Sequence, residues 1–463
     1  MAQEGPGMAW EEAYGGWWVD QARGACTTSD GGFILAGYNS SDGPSQDLYL
    51  VKTDGSGNLV WEETYGGAST EYGYSVVQTS DGGYAATGYT QSFGAGGKDV
   101  YLVRTDADGA LLWDEAYGSS SDDEGRCLIQ TSDGGFTVAG ARQASGGGWN
   151  ACLMKISADG VLQWERVYGG SEIEYANSVV QTSDGGYALL GRTYSFGAGS
   201  EDFYLVRTDS IGMMMWYETF GGPDAEEGNS LEQTMDGGFI LGGSTSSFGA
   251  GGYDMYLVKT DPDGNEEWST TFGTPGSDGC NDVLQTWDGG YALTGYRIWG
   301  GTNAVLIRTD DSGDTVWTSV YGGSGSENAF SIMQMPDGGY AVAGITNSMG
   351  AGDYDCWLLR TEPPMGIEGD PAPSGPVLQG ITPNPARRAV SVEFRIPAAS
   401  PVSLSVYDLS GRLVGDVVQA GVRPAGAGAV IWELRGTLSP GCYLAVLQSG
   451  GWSAKGRFVL LGD

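Results

Sequence analysis

The sequence contains no histidine. With it go the commonest general base and the commonest metal ligand at neutral pH. A Ser-His-Asp triad, a Cys-His dyad and a His-held zinc or iron site are therefore excluded. Cysteine is sparse: Cys26, Cys127, Cys152, Cys280, Cys356 and Cys442, with no Cys-x-x-Cys spacing. These read as buried free thiols acting as small hydrophobes. No stretch of eighteen apolar residues occurs, so no helix crosses a membrane. No leader is recognisable before the first expected strand, near Met8. The expectation is a start from which a leader has already been removed.

Positive charge is scarce as well. Against 58 acidic residues stand 22 Lys and Arg, for a net charge of −36. The imbalance lies in residues 1–369, with 52 acidic and 14 basic side chains; residues 370–463 are close to neutral. The main body repels nucleic acid and anionic headgroups and attracts cations.

What is plentiful is glycine, 81 residues, and repetition. Trp61-Glu-Glu-Thr-Tyr-Gly-Gly67 returns with small changes at Trp10, Trp113, Trp164, Trp216, Trp268 and Trp317, at intervals of 49 to 52 residues. An aromatic follows four places later each time, from Tyr14 to Tyr321. An Asp-Gly-Gly marker at Asp30, Asp81, Asp133, Asp184, Asp236, Asp288 and Asp337 keeps identical intervals. A fixed period near fifty means a repeat architecture.

One unit gives four strands. Tyr74–Thr79 (A) leads through an Asp-Gly turn, expected to be type I′, into Tyr84–Thr90 (B). A Gly-rich loop leads to Asp99–Thr105 (C), and a second Gly turn to Ala110–Tyr117 (D), which carries the tryptophan. Four antiparallel strands per period make a propeller blade. The first strand, Met8–Tyr14, is a D strand without A, B or C, and the last repeat has A, B and C without D. The two fragments complete one blade. The fold class expected is thus all-β: a seven-bladed β-propeller over 1–362, closed by strand 8–14, then a Pro-rich linker at 363–376 and a small Ig-like β-sandwich at 377–463. The repeated tryptophans then pack between blades.

In the last segment, Ile381-Thr-Pro-Asn-Pro385, Val406-Tyr-Asp-Leu-Ser-Gly-Arg412, Leu438-Ser-Pro-Gly-Cys-Tyr-Leu444 and Lys455-Gly-Arg-Phe-Val-Leu-Leu461 follow in order. This segment resembles the type A C-terminal sorting domain of bacterial type IX secretion, and is similar to the Ig-like domain of flagellar hook-capping proteins. Gly441-Cys442-Tyr443 stands where the family has Gly-Val-Tyr. The resemblance implies an outer-membrane secretion machinery as partner of residues 377–463 and an extracellular or cell-surface location. The repeats are similar to propellers attached to such tails.

Ten residues before each Asp-Gly-Gly stands an acid: Asp20, Glu71, Asp123, Glu174, Glu226, Asp278 and Glu327. Placed in the D–A loops, they are expected to ring one mouth of the central channel. Strand C supplies one base per blade (Lys52, Arg104, Lys155, Arg207, Lys259, Arg308, Arg360), so ion pairing between the two sets, or capping of backbone, is the expected compensation. A calcium ion held by some of the carboxylates is the alternative. Four tryptophans break the repeat: Trp17 and Trp18 in the first D–A loop, Trp149 and Trp299 in B–C loops. Exposed tryptophan beside carboxylates suits a sugar-binding surface. The resulting expectation is a non-catalytic, secreted binding or assembly module with a glycan, a protein or a second copy as ligand. A filament subunit and a metal-dependent hydrolase or lyase are the alternatives. Seven like copies argue against an enzyme, because a catalytic centre needs different residues on different blades.

Overall fold

Seven four-stranded antiparallel sheets follow one another along the chain, and no helix occurs among the described residues. The computed structural model describes residues 3–41, 45–144, 146–298 and 300–363. It also describes strands 377–382, 389–396, 400–408, 413–423, 426–433, 441–449 and 452–460. Residues 364–376, most of the stretch read as a linker, lie outside the described residues, and so does Trp299.

Blades 1 to 6 each run A-B-C-D in sequence order; blade 2, for example, is Glu71–Gln78, Tyr84–Thr90, Asp99–Thr105 and Leu111–Tyr117. Blade 7 takes A, B and C from Glu327–Gln334, Tyr340–Thr346 and Asp355–Thr361. Its D strand is Met8–Tyr14, with Trp10 opposite Arg360 and Tyr14 opposite Cys356. The ring is thus closed by antiparallel hydrogen bonds between chain segments some 350 residues apart, which leaves no open end in the array. A two-residue strand, Gln3–Glu4, adds to blade 6 in parallel.

The turns are longer than the two-residue type I′ loops expected from the sequence. Among the described residues positive φ is confined to glycine, so Asp81 of Asp81-Gly82-Gly83 is not left-handed as a type I′ turn requires. Instead Gly82 N donates to Thr79 O, and Thr79 N to Gly83 O. This is a type I turn closed by a left-handed glycine bulge, repeated at the C–D turns.

The Trp-x-x-x-Tyr marker works between blades. Trp61 meets Tyr84 of the next blade edge-on, with centroids 5.6 Å apart at 61°. Trp10, Trp113, Trp164, Trp216, Trp268 and Trp317 do the same at 5.6 to 6.4 Å. The aromatic four places later reaches the same neighbour: Tyr65 and Tyr117 hydroxyls donate to Gly109 O and Gly160 O at 2.5 and 2.6 Å. Apolar clusters fill the space between successive blades, as where Ile34 and Leu48 of blade 1 meet Val76 and Tyr101 of blade 2.

The second compact unit begins at Pro363. It holds a three-stranded and a four-stranded antiparallel sheet. Val390, Val392 and Phe394 of one share a core with Leu404, Val406, Tyr443 and Leu447 of the other. Inward residues alternate along Ala389–Ile396, Ser400–Asp408 and Gly441–Ser449, as a sandwich requires. Val377–Thr382 is the first of the unit's seven described strands. The motif turns at 383–388, 409–412 and 434–440 lie outside the described residues.

Candidate functional site: the acid positions and the central channel

The seven acids do not ring an open mouth. Six open their A strands, Asp278 is the second residue of its own, and all seven are buried. Glu71 shows the reason. Its Oε1 accepts from Thr90 Oγ1 at 2.6 Å and Ser92 N at 3.1 Å, and its Oε2 from Gly67 N at 2.8 Å. One carboxylate therefore ties the D–A loop to the end of strand B and the start of the B–C loop. Glu174 and Glu226 repeat this set, and Glu327 bonds Gly323, Thr346 and Ser348. Where the acid is the shorter aspartate, the facing residue is longer. Asp123 lies opposite Arg142 and Asp278 opposite Arg297, paired at 3.2 and 3.0 Å.

The expected pairing with strand C bases is corrected. Five of those bases reach the aspartate of the Asp-Gly-Gly turn instead. Arg104 Nη2 grips both oxygens of Asp81, at 2.6 and 2.5 Å. Lys52, Arg207, Lys259 and Arg308 pair with Asp30, Asp184, Asp236 and Asp288. Burial works against ionisation of Asp30, but the Thr28 hydroxyl and the Lys52 ammonium outweigh it and hold its pKa at about 2. The direction was legible: Arg104 stands five residues after Asp99, about 17 Å along an extended strand and so at its far end.

A second acid accompanies the first at most blade junctions. This residue opens or nearly opens strand C (Asp47, Asp99, Asn150, Asp202, Asp254, Asn303, Asp355), and Asp99, Asp202, Asp254 and Asp355 cap their B–C loops, as when Asp99 Oδ2 accepts from Ala95 N and Gly96 N, both at 3.0 Å. Its other oxygen turns toward the next blade's acid. A Cβ on Gly15 would sit 2.6 Å from Asp20 Oδ2 and 2.7 Å from Asp355 Oδ1. That close approach is why glycine ends the Trp-x-x-x-Tyr-Gly marker. The charges are reduced in different ways. Blades 3 and 6 have Asn150 and Asn303; Arg142 and Arg297 neutralise two other junctions. Among the described residues no base pairs with Asp20 or Asp355. Burial and then Asp20 raise the Asp355 carboxyl above its usual range. No group of three or more acids or cysteines fit to hold a metal ion occurs among the described residues. The calcium expectation thus finds no shared ligand set there.

Trp17 and Trp18 are 84% and 63% exposed, side by side on the first D–A loop. Trp149 is half-buried and stacks on Tyr175 at 5.6 Å.

Sequence reasoning missed the central channel. Every A strand carries a register shift against strand B, so one residue per blade is bulged inward. It stands three places after the acid: Arg23, Tyr74 and Arg126 in blades 1 to 3, Asn177, Asn229 and Asn281 in blades 4 to 6, Phe330 in blade 7. All seven line a cavity of about 460 Å³. The seven copies differ in this column, and comparing the copies position by position would have shown it. Ser230 and Asp282 lie below them; Asp282 accepts from Ser230 Oγ at 2.6 Å and Ile332 N at 2.9 Å. Burial pushes Asp282 up to about 6, and Glu232, on the neighbouring strand, up to about 7.

No known family profile matches the chain. The regulatory protein FlaEY of Caulobacter vibrioides is 25% identical over 160 residues, which cover 29% of this chain and 17% of that protein. The chain thus matches less than a fifth of that relative's length. Among solved structures, a fungal alcohol oxidase in complex with copper superposes over 98% of this chain and 99% of its own, with a TM-score of 0.54 and 11% identity. A puromycin hydrolase matches with a TM-score of 0.47 and 14% identity, over 83% of this chain and 61% of its own. At these identities the likeness carries the fold alone. The class defined is a seven-bladed β-propeller followed by a β-sandwich.

One expectation is overturned here. The chain was read as no enzyme because its copies are alike. The alcohol oxidase is an enzyme with a similar fold throughout its length. Moreover the channel presents unlike residues from different blades, so that objection to catalysis falls.

Proposed function

We propose that this chain is an extracellular binding module, exported by type IX secretion through its C-terminal sandwich, that holds a glycan on the D–A face of the propeller. The observation that carries this is the exposure of Trp17 and Trp18 together. Large apolar rings standing free on a soluble surface cost hydration. Flat rings suit the apolar faces of sugars. Trp18 N already donates to Ser41 Oγ at 3.1 Å, which fixes the loop that presents the rings. The ordered C-terminal motifs support the export route.

The test is a glycan array probed with the full chain, followed by Trp17→Ala and Trp18→Ala. A signal lost in both variants, with unchanged unfolding midpoints, is expected. A signal that survives both substitutions refutes the site; no signal on any glycan refutes the ligand class.

A further inference from the structure

Bases are scarce in this chain, and the strand C bases are held by carboxylates in five blades. Arg23 is different. Its guanidinium lines the channel, lies 4.3 Å over the Phe330 ring and donates to the neutral Gln21 Oε1 at 2.8 Å. No carboxylate pairs with it among the described residues. Arg126, also in the channel, shares Glu124 with Lys98 and packs over Tyr74 at 5.1 Å. The Nε–H groups of both arginines are buried without an acceptor. The aromatic contacts fix the two forks in place before any ligand arrives.

The opposite wall has the opposite polarity. Asn177, Asn229 and Asn281 spend their NH2 groups on the next blade: on Gly228 O and Cys280 O at 2.9 Å, and on Ala329 O at 2.7 Å. The amide oxygens of Asn177 and Asn281 remain as acceptors, and that of Asn229, which accepts from Asn177 Nδ2 at 3.5 Å, keeps a second lone pair. The arginines thus bring positive charge to one side of the channel and the asparagine oxygens bring neutral acceptors to the other; Tyr74 stands between the two arginines, Phe330 between Asn281 and Arg23, and the carboxylates of Glu227, paired with Arg192, and of Asp282 also line the cavity.

We propose that the channel is a binding site for a polyhydroxylated carboxylate, the chemistry of a uronic acid. The carboxylate sits on Arg23 and Arg126, where a charge-assisted fork bond is strongest. The hydroxyls donate to the asparagine oxygens, and the C–H face of the ring lies on Tyr74 or Phe330. The volume, about 460 Å³, falls in the ordinary range of small-ligand pockets, about 300–1,000 Å³. The site is separate from the Trp17–Trp18 surface and uses none of its residues.

Isothermal titration of the full chain with galacturonate and glucuronate tests this, beside galactose and glucose (no carboxylate), acetate (no hydroxyls) and short oligogalacturonides. Acid sugars are expected to bind at least tenfold tighter than both control sets. Arg23→Gln removes that preference, and Asn229→Ala weakens acid and neutral sugars alike. Trp17→Ala leaves uronate binding unchanged, so this site and the surface site fail independently. Tighter binding of oligomers than monomers assigns the source to a chain end of an acidic polysaccharide; equal binding assigns it to the free sugar acid. No binding at millimolar concentration, or equal binding of acid and neutral sugars, overturns the proposal. So does an Arg23→Gln variant that keeps the wild-type preference and the wild-type unfolding midpoint.

Discussion

Replacing Asp355 by asparagine should make the protein more stable. Asp355 and Asp20 are buried where the ring closes, and both approach Gly15. The two facing oxygens are at most about 5.3 Å apart, from their distances to the Gly15 Cβ position. Two full charges at that separation repel by about 3 kcal/mol at an effective dielectric of 20. Asp355 Oδ1 is buried without a hydrogen-bond partner, and the other ionisable groups acting on Asp355 and on the Cys356 thiol behind it, Asp20 and Glu62, are acids. Burial, and then the Asp20 charge, raise the Asp355 carboxyl above its usual range. A raised acid contributes stability below its unfolded value and loses it as pH climbs through the folded value.

Asparagine removes the second charge and keeps an oxygen for Gly352 N, which Asp355 Oδ2 now accepts at 3.2 Å. It also places an amide donor toward Asp20. Asn150 and Asn303 already fill the equivalent position in two blades. Asp355→Asn is therefore expected to gain about 1–3 kcal/mol at pH 8, a gain that shrinks toward zero near pH 4. Asn150→Asp should lose a similar amount at pH 8. Urea unfolding followed by tryptophan fluorescence at both pH values reads this directly. A variant no more stable than the parent at pH 8, or one whose gain is the same at pH 4, would refute the reasoning.

Two further outcomes are expected. Trp113→Ala removes the edge-on contact with Phe136 and should cost about 2–4 kcal/mol, seen as a lower urea midpoint; an unchanged midpoint would mean the marker is not an inter-blade clamp. Burial raises Glu232 to about 7, so its stabilising share is present below 4.5 and lost as pH rises through 7. Glu232→Gln should flatten the pH 5 to pH 8 fall in stability by about 1–2 kcal/mol, and an unaltered slope would rule that group out as its source.

Of the two interfaces in each blade, the sequence displayed one and concealed the other. The Trp-x-x-x-Tyr and Asp-Gly-Gly markers are local and repeat with the chain, so blade number and closure by Met8–Tyr14 followed from their count. The acids and the strand C bases share one period, and a period cannot say which of two co-periodic partners touch. Strand direction decides that, by placing Arg104 beside Asp81 and leaving Glu71 to the backbone.

Sequence alone determined the all-β class, the number of blades, the ring-closing strand and the change of composition after Thr361, because each rests on repeated local pattern. Tertiary structure alone decided what the acids do and where the chain is chemically distinctive. Burial turned an expected ring of surface charge into seven internal ties. The bulge in every A strand turned one residue per blade inward, against the two-residue alternation that a strand otherwise obeys. That single displaced residue is what makes seven near-identical blades present Arg23, Tyr74, Arg126, Asn177, Asn229, Asn281 and Phe330 to one cavity.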